Sequence, residues 1–122
     1  MNDPRRRSPH DPVDVEWQIE DVKNFIHTGV DIVNNAEAKA KKARAKFDLA
    51  FALAIGKTDG PPSLARFKAT VATEDERRDA DNAEIAYKHA ERKLGGLEKE
   101  LFALQSILKS AGNMFNAPGV QR

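Results

Sequence analysis

From Val22 onward, apolar and small residues recur at alternating steps of four and three: Val22, Ile26, Gly29, Val33, Ala36, Ala40, Ala43, Phe47, Ala50 and Ala54. Such steps keep one stripe of an α-helix facing the same way over many turns, so the spacing predicts a long helix with a coiled-coil seam. Its start is predicted at Asp11 and Pro12, an N-cap followed by a first-turn proline, with Asp14 and Glu16 placed near the positive end of the helix dipole. Its end is predicted near Gly56. The segment from Gly56 to Pro62 combines two glycines with two prolines and cannot continue a helix.

Ser63 is then placed to cap a short helix whose Leu64, Phe67 and Val71 share one apolar edge. Thr73 with Glu76 three residues later fits a capping box, which predicts the start of a second long helix. That helix keeps the same rhythm through Ala80, Ala83, Tyr87, Ala90, Leu94, Leu97, Leu101, Leu104, Leu108 and Ala111, and Gly112 with Asn113 are expected to stop it. The fold class is all-α: an antiparallel hairpin of two long helices joined by a short one, self-associating into a bundle. Helices are expected over 13–55, 64–72 and 74–111 inside a domain of 13–112, between a basic arm at 1–12 and a tail at 113–122. At a rise of about 1.5 Å per residue each long helix would extend roughly 60 Å, making the hairpin a rod.

The first seam is mostly alanine and the second mostly leucine, so an antiparallel pairing sets small residues against large ones. The favoured register places Phe47 near Ala90, Ala43 near Leu94, Ala40 near Leu97 and Ala36 near Leu101. It also brings Ile32 beside Ile107, Lys39 beside Glu100 and Arg44 beside Glu91, and the rival register, one heptad away, sets Phe47 near Ala83. Phe25, Ile32, Leu49, Phe51, Leu53, Ile85 and Phe102 fall off the seam. A two-helix hairpin cannot cover them all, so contacts with a second copy, a dimer by preference, or with a partner protein are expected there. The short helix is expected to cover some of them. Gly95 and Gly96 each cost about 1 kcal/mol relative to alanine inside a helix, which points to a close helix approach or a local bend.

Composition narrows the chemistry. The 122 residues carry 20 basic and 19 acidic side chains, a net charge of +1, so no global field draws the chain to nucleic acid or membrane. The absence of cysteine excludes disulfides and thiolate metal sites. The basic start has no apolar core behind it and no apolar run approaches the roughly 20 residues of a membrane span. A cytoplasmic protein with no membrane partner is expected. His10, His27 and His89 lack a second ligand at helical spacing, and Gly56-Lys57-Thr58 lacks both the first glycine and the strand of a phosphate-binding loop. No catalytic, metal or cofactor-binding residue is therefore assigned, and no enzymatic activity is expected. Lys39, Lys41, Lys42, Arg44 and Lys46, together with Arg5, Arg6 and Arg7, are candidate nucleic-acid contacts, although no aromatic side chain interleaves with them. In the tail, Met114 and Phe115 are candidate docking residues.

The run Phe47-Asp-Leu-Ala-Phe-Ala-Leu-Ala, the Gly60 turn, the segment from Thr73 to Tyr87 and the run from Leu97 to Ser110 resemble small helical proteins encoded by tailed phages of actinobacteria and other Gram-positive hosts. The resemblance implies a non-catalytic accessory role inside an infected cell, among replication and recombination functions, and assigns no functional residue. The leading expectation is an interaction protein that binds a protein partner through its long faces or tail. A DNA-binding accessory and a virion assembly or scaffolding component are the alternatives.

Overall fold

A computed structural model describes the backbone of residues 11–116 and the side chains of residues 11–112. Arg5, Arg6, Arg7 and His10 lie outside the described residues, as do the side chains of Met114 and Phe115. Three helices follow one another: α1 over Pro12–Gly56, α2 over Pro62–Ala72 and α3 over Glu74–Asn116. No strand occurs among the described residues, and no helix among them is long and apolar enough to cross a membrane. The chain divides into two compact units, Met1–Val30 with Arg92–Arg122 and Asp31–Glu91, and α1 packs closely on α3 within each.

The helix ends follow local chemistry. Asp11 caps α1 as expected: its Oδ1 accepts from the Val13 amide at 2.9 Å, and its carbonyl accepts from the Val15 amide at 2.9 Å. After Gly56 the Thr58 hydroxyl donates to the Ala54 carbonyl at 3.0 Å, answering one of the acceptors a helix end leaves open. Gly60 then turns the chain at φ 113°, a backbone region that a side chain disfavours.

Two expected caps are corrected. Ser63 is not the cap of α2: Pro61, extended at ψ 148° because a proline follows it, holds that position and Pro62 opens the helix, leaving Ser63 inside. Nor does Thr73 form a capping box with Glu76. Its hydroxyl turns back to donate to the Ala69 carbonyl at 2.7 Å, and Glu76 Oε2 is buried with no hydrogen-bond partner among the described residues. Thr73 instead closes α2, its amide bonding Ala69, and opens α3, its carbonyl accepting from the Arg77 amide at 3.0 Å. At the far end Gly112 and Asn113 do not stop α3, which runs on to Asn116. A glycine with ordinary helical φ is a poor breaker unless the residues beyond it also leave the helix.

Unit 1, Met1–Val30 with Arg92–Arg122, is held by Val15, Ile19, Val22 and Leu104, with Ile26, Leu97, Leu101, Ile107 and Leu108 packed around them. Val15 is wholly buried. These residues continue the four-three spacing of α1 backward beyond Val22. Gly29 lets α3 approach: a Cβ built there would stand 3.2 Å from Leu94 Cδ1. Nothing lies within 4 Å of a Cβ built on Gly95 or Gly96, so close approach does not explain that pair.

Unit 2, Asp31–Glu91, closes on small residues. Ala40, Ala65, Ala69 and Ala80 are buried, and Thr73 with them. Here α1 and α3 run in opposite senses, because Glu37 reaches Tyr87 while Arg44 reaches Asp81. The seam residues of both long helices face inward as their spacing predicts. The register is corrected: Arg44 meets Asp81 and Glu84 in place of Glu91, and Gly29 meets Leu94. The observed pairing lies about two heptads from the favoured alignment and about one from its rival.

Candidate interaction surfaces

The basic stretch of α1 separates into two groups. Arg44 turns toward α3, donating to Asp81 at 2.9 Å and to Glu84 at 3.4 Å, with its guanidinium 5.7 Å from the centre of the Phe47 ring. The hydrogen bond to Asp81 raises its pKa above the ordinary arginine value. Lys41 stands 3.9 Å from Glu37 one turn earlier. Lys39, Lys42 and Lys46 are exposed on another side of the helix, at steps of three and four that put them in one row. A contiguous lysine stretch in the sequence thus holds a structural arginine, a locally paired lysine and a row of three solvent-facing cations.

Tyr87 anchors the other side of the pairing in unit 2. Its hydroxyl lies 2.9 Å from Glu37 Oε2 and 3.1 Å from Glu91 Oε2, and donates its one proton between them. The bond to Glu37 is the main reason its pKa is pushed up to about 12, because a phenolate would face carboxylates.

The off-seam apolar residues lie where the spacing put them, with one exception. Phe25, Ile32, Leu49, Leu53, Ile85 and Phe102 are exposed, Phe102 by 73%. Phe51 is half-buried, its ring centroid 6.0 Å from that of Phe47, and leaves the exposed set. Sequence reasoning missed the α2 stripe. Leu64, Phe67 and Val71, the apolar edge read from the spacing, point outward, while Ala65 and Ala69 make the buried contact. The opposing row Ala65, Ala69 and Ala72 has the same helical spacing and carried the missing signal, since alanine permits closer helix packing than leucine or phenylalanine. Val30 completes the exposed set.

A surface cleft of about 450 Å³ lies in unit 2, with Ala50, Leu53 and Ala54 of α1 on one wall and Lys68 and Ala72 of α2 on the other. Thr58, Thr73 and Glu76 also line it, and Lys57 and Lys68 contribute positive charge. Among the described residues no group of three His, Cys, Asp or Glu side chains is placed to hold a metal ion, and His27 and His89 are exposed. What these surfaces present is therefore apolar area and lysine charge on helix faces. No family model, curated protein or solved structure matches the chain.

Proposed function

We propose that this chain is a non-enzymatic helical-hairpin interaction protein that works as an oligomer, a dimer in its simplest form, and binds other protein through its exposed helix faces. The observation that carries the reading is the set of ten large apolar side chains exposed among the described residues, spread over all three helices. Each forgoes part of the roughly 1.5 to 3 kcal/mol that full burial of such a side chain is worth, so covering several of them supplies a drive to associate. The resemblance of its helical runs to phage accessory proteins supports a non-catalytic accessory role.

Light-scattering mass on a sizing column, at low and moderate salt, tests this. A mass of two chains that ignores added single-stranded and duplex DNA is expected. A single-chain mass indifferent to both DNAs would leave the apolar faces uncovered and sink the reading. The exposed Lys39, Lys42 and Lys46 favour a second reading, phosphate binding, and a DNA-dependent shift that fades steeply with salt would put it first.

A further inference from the structure

The exposed side of α1 in unit 2 carries a second row with the regularity of the buried seam. Ile32, Lys39, Lys42, Lys46, Leu49 and Leu53 follow one another at steps of three, four and seven, and all six are exposed. The row is apolar at both ends and cationic in the middle. At about 1.5 Å per residue it extends roughly 30 Å, six turns of helix. Its Leu53 end opens into the cleft whose other wall brings Lys68 and Ala72 from α2. Such a row matches one side of a helix-helix contact: leucines to interdigitate and long basic side chains to flank them.

Much of the negative charge in the chain's own acidic stretch at the start of α3 is already engaged, with Asp79 its exposed carboxylate outside any salt bridge among the described residues. Asp81 and Glu84 hold Arg44, and Glu74 and Asp75 hold Arg78 at 3.3 and 3.6 Å. A second copy would therefore bring to the lysine row a stretch in which four of six carboxylates already pair with arginines. DNA would find cations here, but Ile32 at one end and Leu49 and Leu53 at the other would gain nothing from phosphate. We propose that this row is the docking track for one amphipathic helix of a different protein, apolar at its two ends and acidic between them, lying along α1 with one end in the α1–α2 cleft. The proposal deepens the interaction role above by naming a surface and a partner class.

The test uses the full-length protein and a fluorescein-labelled helical peptide of about 24 residues, long enough to match the row. Leucines fill its terminal heptads and glutamates its central ones, and a control peptide carries glutamine for glutamate. The acidic peptide is expected to bind about tenfold more tightly than the glutamine control at low salt, with the advantage shrinking as salt rises. The triple change Lys39→Gln, Lys42→Gln and Lys46→Gln should erase that advantage. Leu49→Ser with Leu53→Ser should weaken both peptides about tenfold, with helical circular dichroism unchanged in every variant.

Binding that survives both sets of changes overturns the proposal. Capture of a short duplex DNA that is lost with the lysines and indifferent to the leucines would make the row a phosphate site. A two-chain mass that falls to one with the Leu49→Ser, Leu53→Ser variant would make it a contact between copies. A two-chain mass that persists while no peptide binds would remove the docking track and leave the interaction role standing.

Discussion

Unit 1 and unit 2 are built from the same two long helices with the same four-three spacing, yet they close in opposite ways. Unit 1 packs branched aliphatic side chains, with Val15, Ile19, Val22 and Leu104 buried among further leucines and isoleucines. Unit 2 buries alanines and a threonine, Ala69 and Ala80 each at 1% exposure, and places leucine, phenylalanine and valine outside. The large buried side chains therefore sit in unit 1, although Phe25, Val30 and Phe102 stay exposed there, whereas unit 2 packs on small residues and exposes seven of the ten large apolar side chains. The comparison teaches that one heptad pattern supports two uses: a core that stabilises, and a thin core that leaves its bulk available.

The comparison breaks first at its strongest point. Leu104→Ala removes a buried side chain from unit 1 and should cost about 2 to 5 kcal/mol in denaturant unfolding; a midpoint that does not move would mean that unit 1 is not the stabilising core. Adding bulk to unit 2 probes the other side. Ala80→Leu should cost about 1 to 3 kcal/mol, because a residue at 1% exposure has no room for three more carbons. A neutral result there would show that the alanine layer is loose. Gly96→Ala should raise stability by about 0.5 to 1 kcal/mol, since nothing lies within 4 Å of the added Cβ and helix propensity acts alone.

Phe67→Ser, at a side chain 67% exposed, should change monomer stability by less than about 0.5 kcal/mol while weakening association; a large loss of stability would place Phe67 in a core. The smallest effect is spectroscopic. Tyr87 is the single tyrosine, so phenolate absorbance reports it directly, and it should titrate near 12, not 10. With the folded pKa raised, its contribution to stability is whole below pH 10 and is lost as pH climbs toward 12. Glu37→Gln should bring the titration downward, because the first cause of the shift is the bond to that carboxylate.

The seam was legible because its period is a local property: once Val22 and Ala80 face inward, residues three and four further on must do so too. Register is not local. A repeat of the same period on both helices lets one slide along the other by a heptad without turning any seam residue outward, so small-against-large matching offered several near-equal alignments. What settles unit 1 is Val15 and Ile19, which lie ahead of the stretch first read as a seam and pack with Leu104. In the favoured alignment they would have run past the last leucines of α3. The short helix misled for a related reason. An apolar edge of Leu64, Phe67 and Val71 ordinarily faces a core, but here Ala65 and Ala69 made the tighter fit.

The interaction surface was legible in composition and not in arrangement. Lys39, Lys42 and Lys46 stand in the sequence beside Arg44, and only the fold separates the arginine bound to Asp81 from the lysines facing water. Gly29 is a similar case. It sat unremarked in the seam while Gly95 and Gly96 drew the explanation of close approach, yet Gly29 is the glycine that α3 crowds.

Thr73 belongs to two helices at once, closing α2 with its amide and hydroxyl and opening α3 with its carbonyl. That leaves no spacer at this junction, and it fixes where the chain can accept length. An extra residue at Thr73 would rotate every following side chain of α3 by about a quarter turn or more and carry its seam out of register. The exposed turn between Gly56 and Pro62 has no such coupling, so a longer loop, a tag or a grafted epitope is tolerated there at the modest entropic cost of a longer closure.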